Sequence, residues 1–465
     1  MMPSKRRVPA RPSVFLAGLV AAGLLAAGCA PPGGGEGDGG GRSTEQDFSR
    51  IDEPVTPEQV EELGDVTLEV WADAGEEAML EQVVPAFEKK YPNVEVDLTI
   101  KGWDDLMGTV INAMDSPSAP DVAQSNQGYA VMGTLVKAGL LRPLDDVRDA
   151  YGLADGVPKS GWEPTTWSKD GASFGKGDLY GIGYATQPLG VFYNKEKLDQ
   201  LGLEPPRNMD ELETALAKAE QQDELPIMLG NSDQYPLGAH VLGILVDAYE
   251  DPAAINSWIA GSEGSSFDTP GVRQATETLQ AWDDEGFLGS GYNGRSMDDA
   301  VADFARGDGV FFLGGSFNGS KIAGIDPEGF GFTTLRNEDG KQATTGSFGT
   351  PWSISSKTDA EPAAVAFLGF LASEDAAQAY ADDSRLPIFH LDDVQPTGSM
   401  HEQQLQVARD LFEGGEFIGY LDWSTTTMQR TLGSGAQELL DGKQTVPQFL
   451  REVQSDWDSY QTKRR

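Results

Sequence analysis

The stretch from Val66 to Leu106 restricts the fold of this chain more than any other. It reads VTLEVW, then ADAGEEAMLEQVVPAFEKKYP, then NVEVDLTIKGWDDL. Val66, Leu68 and Val70 alternate with their neighbours, the period of a half-buried strand. Leu80, Val83, Val84 and Phe87 fall on one helical face, and Glu76, Glu77, Glu81, Glu88 and Lys89 occupy other positions. Pro92 and Asn93 stop the helix, and Val94, Val96, Leu98 and Ile100 alternate again. Strand, helix, strand at this length is a βαβ unit, which predicts a parallel sheet with helices on its faces. Pro85 predicts a kink or a restart in that helix, because it removes a hydrogen bond. Ligands of open α/β sheets sit beyond the carboxyl ends of the strands. The first such end, Trp71 to Gly75, is therefore a candidate binding stretch.

The chain has 465 residues, too many for one core, so more than one lobe is expected. Its formal charge is −40, which would repel phosphate backbones and argues against a nucleic-acid partner. The single cysteine, Cys29, admits no disulfide within the chain. It follows a basic start (Lys5, Arg6, Arg7, Arg11) and the apolar run VFLAGLVAAGLLAAG, which has signal-peptide length. Leu25-Ala26-Ala27-Gly28-Cys29 resembles a bacterial lipobox, with Ala26 where Leu is usual. The resemblance implies a signal peptide over 1–28 and a lipid anchor on Cys29. The segment 29–64, rich in Gly at its start, reads as a flexible tether.

Further along, the sequence predicts a helix from Trp103 to about Met114 and a short strand after Pro120. That strand's far end would expose Gln124, Ser125, Asn126 and Gln127. A helix from about Tyr129 to Ala138 and a loop-rich region from Tyr151 to Asp178 follow. Two short strands then flank Thr186-Gln187-Pro188. A helix over Met209–Gln221, a strand at Ile227–Leu229, a polar loop at Asn231–Tyr235 and an apolar helix at Gly238–Ala248 come next. The apolar strand Val310–Leu313 runs into Gly314-Gly315-Ser316-Phe317, and strands near Phe330–Leu335 and Trp352–Ser355 precede a run of helices.

Several phrases match one family in its order: AFEKKYPNVEVDLTIKGWDDL, APDVAQ, KAGLLRPLDD, LYGIGYATQPLGVFYNKEKL, FARGDGVFFLGGSFNGS, WSISSKTDAEPAAVAFLGFLAS and LLDGKQTVPQFLREVQSDWDSY. They resemble the bacterial extracellular solute-binding proteins of family 1, the maltose-binding-protein-like lipoproteins that serve sugar-uptake ABC transporters. The resemblance implies an α/β, two-lobe periplasmic-binding-protein-like fold of type II, with the ligand cleft between lobes 65–186 plus 335–390 and 187–334 plus 391–465. It implies crossings near Tyr184–Gly190, Phe332–Leu335 and Phe389–Gln395. Its other implications are a sugar ligand, permease subunits as partners, a monomer on the outer face of the cell membrane, and no cofactor, metal or reaction.

By the same resemblance the solute-facing positions are Asp73, Ser125, Asn126, Gly128, Gln187, Gln234, Tyr235, Phe317 and Trp423 or its neighbour Asp422. Gly346, Ser347 and Trp352 are further candidates. A neutral sugar needs flat apolar faces to stack on and amides or carboxylates to take its hydroxyls, and these residues supply both. Gln187, Gln234 and small residues stand where maltose-binding protein presents carboxylates, which speaks against maltose but not against sugars. A polyol, a glycerol phosphate ester or an amino sugar remains an alternative, although the candidate loops hold almost no Arg or Lys. An adhesin or sensor subunit would have a similar cleft.

Enzyme motifs are weak. Gly171-Ala172-Ser173-Phe174-Gly175 has the letters of a hydrolase elbow but lacks the preceding strand. Gly289 to Gly294 has dinucleotide-loop spacing, again without a strand. His240, His390 and His401 have no metal-site spacing, and His240 in its apolar helix reads as a core residue. A glycoside hydrolase needs only two carboxylates across a cleft, so it stays as the enzymatic alternative.

Overall fold

The computed structural model describes residues 48–155, 157–337 and 340–464. The expected signal peptide and Cys29 anchor lie outside them. Among the described residues the strands are β1 (Val66–Asp73), β2 (Val94–Lys101), β3 (Val122–Gln124), β4 (Thr166–Trp167), β5 (Asp178–Leu179), β6 (Ala185–Thr186), β7 (Leu189–Asn194), β8 (Phe311–Gly315), β9 (Phe330–Thr333), β10 (Ala343–Thr345), β11 (Trp352–Ile354), β12 (Leu386–Pro387) and β13 (Glu416–Ile418).

The βαβ unit forms as its pattern requires. β1 pairs with β2 in parallel from Val66 opposite Val94 to Asp73 opposite Lys101. Leu68, Val70 and Ala72 are buried. The helix Glu77–Lys90 buries Leu80, Val83, Val84 and Phe87 and runs through Pro85 without restarting. Pro85 lies on the solvent face, where water can meet the carbonyl that its missing N–H leaves free. β3 adds to β1 in parallel, and β11 closes the edge antiparallel to β3, giving the order β11-β3-β1-β2.

The second sheet is antiparallel: β7 lies between β8 and β9. All six residues of β7 are buried. Phe192 packs against Phe312 and Phe332, while Leu189, Val191 and Tyr193 join a second apolar cluster with the helices Met209–Gln221, Leu242–Tyr249 and Pro270–Asp284. A central strand buried on both faces cannot alternate, and this one does not. Three elements differ from expectation. Ile227–Leu229 makes a single parallel bridge, Ile227 to Phe311, and no strand. Pro236–Val241 is a π-helix leading into the α-helix Leu242–Tyr249. From Phe48 onward the tether is already part of the body. Thr56 caps the helix Pro57–Glu61, Val55 and Val60 are buried, and Ile51 N–H donates to Asp146 at 2.9 Å. Thr56 and Gln59 have capping-box spacing, and the buried valines give that turn a reason to dock.

β6 lies against β12 as a narrow two-stranded ribbon, Thr186 opposite Leu386, and Thr186 Oγ and Gln187 N–H both donate to the Ser347 carbonyl.

Candidate ligand-binding cleft

The loop after β3 comes to lie against the segment Tyr420–Ser424. Gly128 has φ +81°, and a Cβ there would lie 2.6 Å from Trp423 Cα, so only glycine fits. Tyr129 N–H donates to the Trp423 carbonyl at 3.1 Å. Beside this contact opens a recess of about 230 Å3. Asn126 and Gln127 line one part of it and Asp422, Trp423, Thr425 and Gln429 another. Gln127 is held by its amide, which donates to Ser347 Oγ at 3.2 Å and to the Gly349 carbonyl at 2.6 Å.

A run of rings continues from Trp423. Its ring centre is 5.2 Å from that of Tyr420, which is 6.3 Å from His240. His240 in turn meets Tyr235 at 4.7 Å and Phe317 at 5.9 Å. The π-helical segment Pro236–Val241 carries His240, and such segments recur at functional sites. His240 is fully buried and neither ring nitrogen has a hydrogen-bond partner among the described residues. Burial lowers its pKa to about 3, so the imidazole is neutral. Asp422 is 7% exposed, its Oδ1 has no partner among the described residues, and burial pushes its pKa up to about 7. Burial, then the charges of Asp422 and Tyr420, push the Tyr235 phenol well above its ordinary value.

Phe317 also borders a water-sized recess of about 10 Å3 with Gln187, Thr186, Ser316 and Arg385. Arg385 is buried. Its Nη1 is 2.7 Å from Glu76 Oε1, its Nε donates to Asp383 at 3.1 Å, and its Nη2 donates to the Gly75 carbonyl.

Of the candidates, Tyr235, Phe317 and Trp423 therefore meet in one ring cluster, Asp422 and Asn126 flank it, and Gln187 borders it through Phe317. The others are placed elsewhere. Asp73 caps the turn Ala74–Glu76 by accepting from Gly75 N–H at 2.9 Å. Ser125 is buried, 3.1 Å from Ser353 Oγ, and its N–H donates to the Pro351 carbonyl, so the end of β3 does not present it to solvent. Gln124 is likewise buried and accepts from Asp73 N–H at 2.8 Å. Gln234 is exposed with φ +54°, and its amide donates to Gln437 at 3.2 Å. Trp352 is 1% exposed and packs edge-on to Phe367, inside the core of the first sheet. Sequence reasoning passed over Trp103, Asp104 and Met107, which also line the larger recess. Their signal was available: they begin the helix at the carboxyl end of β2, by the rule that selected Asp73 after β1.

The model for bacterial extracellular solute-binding proteins matches residues 82–403. The multiple sugar-binding protein of Streptococcus mutans is 22% identical over 407 residues, covering 84% of this chain and 92% of that protein. Among solved structures, a chitin oligosaccharide binding protein superposes with a TM-score of 0.69 at 21% identity, over 83% of this chain and 95% of its own. A structure from work on xylan utilization by Caldanaerobius polysaccharolyticus gives 0.71 at 20% identity, over 84% and 99%. These likenesses establish the two-lobe type II fold with its cleft between lobes. By the extent of the family match, this chain belongs to the bacterial extracellular solute-binding proteins.

Proposed function

We propose that this protein is the substrate-binding component of an ABC importer, capturing a carbohydrate between its lobes and delivering it to membrane permease subunits. The lobes are 65–186 plus 335–390 and 187–334 plus 391–465. The observation that carries the reading is the ring run Trp423–Tyr420–His240–Tyr235, with Phe317 on His240 and Asp422 beside it. Rings offer faces to the C–H surface of a sugar, and Asp422, Asn126 and Gln187 offer directional hydrogen bonds. Relatives whose names record sugar and chitin oligosaccharide binding support the same class. A solute touching both lobes at once favours the closed arrangement by its differential affinity. The protein changes nothing in the solute and uses no cofactor. It is a monomer held on the outer face of the membrane by a lipid on Cys29, after loss of residues 1–28.

The test is a thermal-shift screen against neutral mono- and oligosaccharides, followed by calorimetry and product analysis. A bound sugar raises the melting point of the folded form. The expected result is one-to-one binding of unaltered sugar, weakened ~10-fold or more by Trp423→Ala. Binding confined to polyols or glycerol phosphate esters, or release of shortened products, would overturn it.

A further inference from the structure

The larger recess has a side that the reading above does not use. The first turn of the helix Trp103–Asp115 brings Trp103, Asp104 and Met107 to it. Trp103 is 36% exposed, one of two large apolar side chains so open among the described residues. An indole left in water at the mouth of a recess that already holds Trp423 gives that recess two flat apolar surfaces. At about 230 Å3 it lies just below the ~300–1,000 Å3 of ordinary ligand pockets, a size that suits a single sugar ring.

Its charge is one-sided. Asp104 and Asp422 line it, and among the described residues no Lys, Arg or His does. Asp422 is more than nine-tenths buried with Oδ1 unpartnered among the described residues. A buried acceptor without a donor is costly, and an incoming O–H relieves that cost. Where Asp422 is ionised, above about pH 7, an incoming carboxylate brings no donor and a like charge, which is how a site rejects a near-isostere.

We propose that this recess is a subsite for one uncharged pyranose unit, walled by Trp103 as well as Trp423, in which Asp422 accepts hydrogen bonds from sugar hydroxyls and bars sugar acids. The proposal rests on the carbohydrate reading and adds its specificity.

The experiment uses calorimetry on the folded chain, at a pH where Asp422 is ionised, with glucose, galactose, maltotriose, xylotriose and raffinose, and with glucuronate and galacturonate. Wild type, Trp103→Ala, Trp103→Leu and Asp422→Asn are compared, with melting points recorded for each. Wild type is expected to bind a neutral sugar and to bind the uronates at least ~10-fold more weakly. Both Trp103 variants keep the wild-type melting point and lose ~10-fold in affinity for the neutral sugar. Asp422→Asn narrows the gap between the neutral sugar and its uronate. Neutral-sugar affinity unchanged in both Trp103 variants, or uronates bound as well as neutral sugars by wild type, would overturn the subsite while leaving the sugar carrier intact. A wild type that binds no carbohydrate removes both.

Discussion

His240 is a neutral imidazole shut among Tyr235, Phe317 and Tyr420 with both nitrogens unbonded among the described residues. Leaving a buried donor and acceptor unmade costs about 1–3 kcal/mol each, whereas an apolar ring of similar shape has nothing to lose. His240→Phe is therefore expected to raise the unfolding free energy by about 1–2 kcal/mol at pH 7, read by urea titration. The pH dependence sharpens the test. The folded form binds a proton at His240 only near pH 3, the unfolded chain near pH ~6.5. Between those values the unfolded state holds more protons, so wild-type stability falls as pH falls. The variant lacks this loss, and its advantage grows below pH ~6.5. At this scale the sequence was half legible. The apolar helix announced a buried His240, but no letter announced the π-turn that aims it at Tyr235. Ser125 was misleading for a related reason: its partner, Ser353, is 228 residues away, and a polar residue at a strand tip looks the same whether it faces solute or a neighbouring strand.

Among elements, the turn after β1 and the strand β12 are clamped by one ion pair. Glu76 and Arg385 are 5% and 8% exposed, and their charged atoms are 2.7 Å apart. Removing one member of a buried pair strands the other, so Arg385→Met is expected to cost about 3–5 kcal/mol in urea unfolding. Adding Glu76→Leu to it should return part of that, since well-packed apolar replacements of a buried pair are often neutral, while Asp383 and the Gly75 carbonyl still lack Arg385. Element types were legible wherever a period ran long enough. The helix at 209–221 lies where spacing put it, and the one at 77–90 ends just ahead of the Pro92 that stops it. Strands β10 and β13 were not, because each is three residues long and pairs only with the other, Ala343 opposite Glu416. A strand that short carries no periodicity, and its existence depends on a partner that sequence order does not disclose.

For the whole molecule, no helix among the described residues is long and apolar enough to cross a membrane. If Cys29 carries the lipid, Cys29→Ser should move the protein from the membrane fraction to the medium without altering its melting point. Fractionation and a thermal scan check both halves, and continued membrane retention of the variant would exclude this anchor. The two-lobe plan was legible through a resemblance spread along the chain, and the cleft only in part, since residues from widely separated segments build it.

The ribbon of β6 and β12 has a practical consequence. If the lobes of the proposed carrier swing on closing, the swing is taken up where β6, β12 and the Ser347 segment lie bonded side by side. One fluorophore on each side of Thr186 and Leu386 would then report sugar concentration as a single monotonic change in energy transfer. A proline or a crosslink set into the ribbon would freeze the swing and silence the signal.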